Sequence, residues 1–116
     1  MTIDQAGKTR QFLDSNEIRH ISLMGGELFC NPDWRLILPL LAEGRETTRI
    51  VSNGDWIGTD FADVVARLGN AHVSLSRDKW HTNRNVDAAI AELEHHGVPY
   101  RVATPEEGTD SSIVPI

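Results

Sequence analysis

Cysteine is almost missing from this sequence: Cys30 is the only thiol among 116 residues. One thiol closes no internal disulfide, and beside scattered histidines it falls short of a four-ligand zinc pattern. Cys30 is expected to be a small core residue. No apolar run approaches the ~20 residues that a membrane-spanning helix needs. The opening residues, MTIDQAGKTR, lack a basic segment followed by an apolar stretch and a small-residue cleavage site. No secretory signal is read there, and a cytoplasmic setting is expected. Positive charge is short as well: 11 Lys and Arg stand against 17 Asp and Glu, a net charge of -6. That balance opposes attraction to phosphate backbones, so nucleic acid is not an expected partner. Linkers, low-complexity segments and long repeats are also lacking, and the length suits one domain.

What is present is a regular alternation of helical and strand patterns. Thr2 and Gln5 have the spacing of a capping box, and Ile3, Ala6, Phe12 and Leu13 are expected to share a stripe on a helix reaching about Asn16. Ile18 to Met24 is short, apolar-rich and stopped by two glycines, a strand signature. Asn31 is a candidate cap with Pro32 at the first helical position, and Trp34, Ile37, Leu38 and Leu41 follow at i, i+3, i+4 and i+7. Pro39 should kink that helix. Thr47 to Ser52 is a β-branched strand. Thr59 is positioned to cap a third helix, with Phe61, Val64, Val65 and Leu68 inward and Gly69 at its end. Ala71 to Ser76 is the third strand. Asn83 or Asn85 starts a fourth helix with Val86, Ala89, Ile90 and Leu93 inward, closed by Gly97, and Val98 to Ala103 is the fourth strand.

Helices between successive strands require parallel pairing, because a parallel neighbour is reached only by a long crossover. The expected fold is α/β: a four-stranded parallel partial TIM-like barrel with its helices on one face. A doubly wound open sheet is the alternative. In either case the loops after the strands open on one edge, where ligands bind. These loops are Gly25-Gly26-Glu27, Asn53-Gly54-Asp55, Ser76 through Asn83, and Thr104 through Asp110.

Several features have plain structural explanations. Asp78 and His81 are too few for a metal site, and a solvated loop pair accounts for them. His95 and His96 suit the negative end of a helix dipole. His20 and His72 lie within strands, and Trp34, Trp56 and Trp80 are best read as packing residues. Ser74 and Ser76 have no nucleophile-elbow context, which removes support for hydrolase chemistry.

Three segments together resemble a known family. "ISLMGGELFCNPDW" is similar to the strand, Gly-Gly-Glu loop and following turn of radical S-adenosylmethionine (radical SAM) enzymes. "RIVSNGDWI" resembles their next strand, which commonly ends in Thr-Asn-Gly, and "HVSLSRDKWH" resembles the one after it. The matches fall in the family's order over roughly Ile18 to Val102. The resemblance implies that Gly25, Gly26 and Glu27 hold the amino group of S-adenosylmethionine, where bare glycines admit backbone carbonyls and a carboxylate complements an ammonium. It further implies that Ser52 and Asn53 lie beside the cofactor and that Ser74, Ser76 or Asp78 reaches its ribose.

The sequence also departs from the family. Radical SAM enzymes hold a [4Fe-4S] cluster with three cysteines, typically Cys-x3-Cys-x2-Cys, whereas Cys30 is this chain's only thiol. Leu28 stands where the family usually has Pro. The chain is therefore expected to be a fragment of an iron-sulfur oxidoreductase-type enzyme or a cluster-less relative that retains part of the S-adenosylmethionine site. The competing expectation is a non-catalytic small-molecule-binding or protein-interaction domain on the same fold. Bare sheet edges, and a concave face lined by Ile21, Leu23, Ile50 and Val73, point to a homo-oligomer or to the missing remainder of a longer chain.

Overall fold

Strands and helices alternate through the whole of the computed structural model, which describes residues 1–24, 28–76 and 84–103. In order they are α1 (Ile3–Ser15), β1 (His20–Met24), α2 (Trp34–Ala42), β2 (Thr47–Ser52), α3 (Phe61–Leu68), β3 (Ala71–Ser76), α4 (Arg84–His96) and β4 (Tyr100–Ala103). All three strand pairs are parallel and the spatial order is β1-β2-β3-β4. Among the described residues that order has no reversal, which is the succession of a barrel wall and lacks the switch point that marks a doubly wound sheet.

Each helix carries the expected stripe, with instructive departures at the ends. At α1 the Gln5 amide donates to Thr2 Oγ1 at 3.1 Å while the Thr2 amide donates to Gln5 Oε1 at 2.8 Å, a reciprocal capping box. Ala6 and Leu13 are buried, but Ile3 and Phe12 are 40% and 62% exposed. Phe12 sits about a third of a turn from the Ala6–Leu13 line, outside the buried stripe. In α2 all four residues of the predicted stripe, Trp34, Ile37, Leu38 and Leu41, are buried. This helix begins later than Asn31 implied, because the Asn31 side chain accepts from the Asp33 amide at 2.9 Å and closes a turn ahead of the helix. Pro39 lies inside α2, and its carbonyl still accepts from the Glu43 amide at 2.9 Å. Thr59 accepts from the Phe61 amide at 3.2 Å, although it stands one residue before the helix boundary at Asp60.

Two strands start later than the apolar runs suggest, for one shared reason. The Ile18 amide donates to Leu13 O and the Val98 amide to Leu93 O, each at 2.9 Å. Both amides are spent closing the preceding helix, so β1 begins at His20 and β4 at Tyr100. The positive φ values of Gly69 (77°) and Gly97 (71°) serve the matching ends of α3 and α4.

Crossovers between neighbouring parallel strands place the connecting helices on one side of the sheet. α1 packs on α2, α2 on α3 and α3 on α4, so the four helices form a single layer. The expected lining of the concave face is corrected by this arrangement. Ile21, Leu23, Ile50 and Val73 belong to the buried cluster with Ile37, Leu38, Phe61 and Leu93, and therefore face the helices. By alternation, the opposite face carries Ser22, Arg49, His72, Ser74 and Arg101. Cys30 is likewise corrected: it is exposed, in the turn that precedes α2, not a core residue.

The edge at which the strands begin is tied down by the chain itself. The buried Arg45 guanidinium donates to the Ile18 carbonyl and pairs with Asp14. Asn70 Nδ2 donates to Ala42 O at 2.9 Å and to Arg45 O at 2.7 Å, satisfying carbonyls where α2 ends. Among the described residues, no helix is long and apolar enough to cross a membrane.

Candidate functional site

Parallel pairing brings the last residues of the strands, Met24, Ser52, Ser76 and Ala103, to one edge. The three motif-bearing strands are immediate neighbours there, so their following loops leave from adjacent positions, which is where a parallel α/β sheet binds ligands. Gly25, Gly26, Glu27 and Asp78 lie outside the described residues, as do Trp80 and His81. Ser52, Asn53, Ser74 and Ser76 are described, and the structure gives them different employments.

Ser52 is occupied by the fold. Its side chain is on the helix-facing side and buried, and Oγ accepts from Trp56 Nε1 at 2.8 Å and from the Gly54 amide at 3.1 Å. Gly54 reaches this position with φ of 90°, a region that favours glycine. The bond steers the Trp56 indole inward, where it packs against Phe61 with ring centroids 4.5 Å apart. Phe29 and Trp34 complete the aromatic cluster, with Phe29 edge-on to Phe61 at 4.7 Å. Trp56 and Trp34 are thus packing residues, as their sequence context suggests. The loop after β2 is further held by Glu92 of α4, which accepts from the Gly58 amide at 2.8 Å.

Asn53 and Ser76 stay exposed on the edge. Asn53 Oδ1 accepts from the Asp55 amide at 3.3 Å, and the side-chain amide nitrogen is a further donor on this exposed residue. Ser74 is two residues deeper on the face away from the helices. It is 2% exposed, and its hydroxyl is buried without a hydrogen-bond partner among the described residues. Of the four residues, then, Asn53 and Ser76 offer polar groups at the edge, Ser74 offers a buried one below it, and the buried Ser52 oxygen already accepts two hydrogen bonds.

Charge near this edge is locally compensated. Asp60, ahead of α3, takes a bidentate contact from Arg35 of α2, with Nε to Oδ2 at 2.9 Å and Nη2 to Oδ1 at 2.7 Å. The hydrogen bonds from Arg35, more than its charge, hold the Asp60 carboxyl below the usual carboxylate range. Arg35 also lies over the Trp34 ring, 4.6 Å from its centroid. This pair links α2 to α3, the two middle helices of the layer. Among the described residues, no three His, Cys, Asp or Glu side chains converge on a metal position.

Pattern reading missed the Ser52–Trp56 bond, whose two residues lie four apart in an irregular segment where no periodicity links them. It also missed that Arg49, His72 and Arg101 share a sheet face, although strand alternation carries that signal. No protein-family model matches the chain, and no curated protein matches it.

Proposed function

We propose that this chain is a radical SAM-like core domain whose strand-end edge binds S-adenosylmethionine, with Gly25, Gly26 and Glu27 at the methionine group and Asn53 and Ser76 beside it. The observation that carries the reading is the adjacency of β1, β2 and β3, which brings the three family-like segments to one edge in the family's order. Ser74 is retained as a deeper contact for a ribose or a substrate. Ser52 is assigned to support of the loop behind the ligand, because its buried oxygen already accepts from Trp56 and Gly54.

A [4Fe-4S] cluster does not fit the residues present. Three thiolates are needed, and Cys30 is the only one. The chain's own residues therefore bind and orient the ligand, and reductive cleavage of it is not assigned to them. The single thiol also favours a second reading, a non-catalytic binding or interaction domain that keeps the fold.

Calorimetry with S-adenosylmethionine distinguishes the two. Binding in the millimolar range is expected, because the iron that would chelate the amino and carboxylate groups has no ligand set here. Glu27→Ala and Asn53→Ala should each abolish most of the heat. Absence of heat for the parent chain would favour the second reading, and tight binding indifferent to both substitutions would place the ligand elsewhere.

A further inference from the structure

The sheet face away from the helices has a chemical character that the strand-end reading draws on only at Ser74 and Ser76. Ser22, Arg49 and His72 form one lateral row across β1, β2 and β3, and Met24, Val51, Ser74 and Arg101 form the next. His20 stands at the start of β1 on the same side. In a chain of net charge -6, the described strand positions of this face hold two arginines and two histidines and neither Asp nor Glu. The charge here runs against the charge of the whole molecule.

Burial sharpens the contrast. Arg49 is only 9% exposed and Ser74 only 2%. Ser74 is directly opposite Arg101 in the register, and Arg49 lies diagonally across one strand and two residues back. Neighbouring strands are about 5 Å apart and such diagonals about 7 to 8 Å, within reach of arginine side chains from both sides. The buried Ser74 hydroxyl, without a hydrogen-bond partner among the described residues, therefore lies on the same sheet face as two arginines placed on the strands either side of it. Arg49, His72 and Arg101 keep contacts of their own, so their placement and sign matter here, not vacancy.

We propose that this face binds a small molecule through an oxyanion, a carboxylate or a phosphate. Arg49 and Arg101 supply the planar donor forks that match such groups, and Ser74 donates its hydroxyl to the same anion. Ser74 is two residues below Ser76, so the rest of the ligand extends toward the strand-end edge. The anion site stands whether or not that edge takes S-adenosylmethionine, and its test uses neither that ligand nor Glu27.

The full chain, uniformly labelled with nitrogen-15, is titrated separately with sodium phosphate and sodium acetate, with ionic strength held constant by sodium chloride. Saturable shifts are expected at the amides of Arg49, Val51, Ser74 and Arg101, and the stronger responder identifies a phosphoryl or a carboxylate ligand. Arg101→Gln, at an exposed position and with its fold checked by the dispersion of the same spectrum, should raise the half-saturating concentration about tenfold, and Ser74→Ala should raise it severalfold. Shifts that fail to saturate, that sodium chloride reproduces, or that both variants leave unchanged would overturn the proposal. Shifts at these amides on dilution of the protein, without response to either anion, would overturn it in favour of a second copy covering the face.

Discussion

Ser52, which family resemblance places beside a ligand, also has a structural task in the fold. Its oxygen accepts from the Trp56 indole at 2.8 Å and from the Gly54 amide at 3.1 Å, all within a buried corner. Ser52→Ala would leave two buried donors without an acceptor, at a cost of about 1 to 3 kcal/mol. Urea denaturation followed by tryptophan fluorescence measures it, and a loss under about 0.5 kcal/mol would show that the bond contributes little. Nothing in "SNGDW" announces this pairing, because it depends on the positive φ of Gly54 turning the loop back on itself. Cys30 fails in the opposite direction: small thiols are commonly buried, but this one lies in a turn, where exposure follows from the backbone path and not from side-chain preference.

Elements were largely legible, since periodicity reports burial directly. Trp34, Ile37, Leu38 and Leu41 are buried as their spacing predicts, and Thr47–Ser52 and Ala71–Ser76 are the strands their β-branched and apolar residues predict. Strand starts were less legible, because whether an amide such as that of Ile18 or Val98 joins a ladder or closes a helix is decided by tertiary placement. The sidedness of the sheet was hidden for a related reason. Alternation establishes that Ile21 and Leu23 share a face, but only the helix layer decides which face is covered. The helix ends offer a direct check of this account. Gly97 has φ of 71° and open space where a Cβ would stand, so Gly97→Ala meets no neighbouring atom but strains the left-handed backbone that ends the helix. Thermal and urea melts should register about 1 to 2 kcal/mol of destabilisation, and an unchanged midpoint would mean that α4 ends by other means.

Across the whole molecule, four parallel strands with helices on one side leave β1 and β4 each with a single strand neighbour among the described residues. Backbone donors and acceptors at such edges favour pairing with another chain, and the exposed Met24 at the end of β1 adds apolar surface to that edge. Sedimentation velocity is expected to reveal species heavier than the 12.9 kDa protomer, in proportions that change with concentration. A single species of protomer mass, with a melt independent of concentration, would mean that the edges are closed within one chain. The central claim concerns the other boundary of the sheet, where the ends of β1, β2 and β3 meet. Its most direct test is a two-dimensional nitrogen-15 spectrum of the full chain titrated with S-adenosylmethionine into the millimolar range. Progressive shifts are expected at residues 25–27, Asn53 and Ser76, with the helix-layer amides of Leu38 and Val65 unmoved. Shifts confined to the helix layer, or none at the strand-end residues, would contradict the assignment of this edge as an S-adenosylmethionine site.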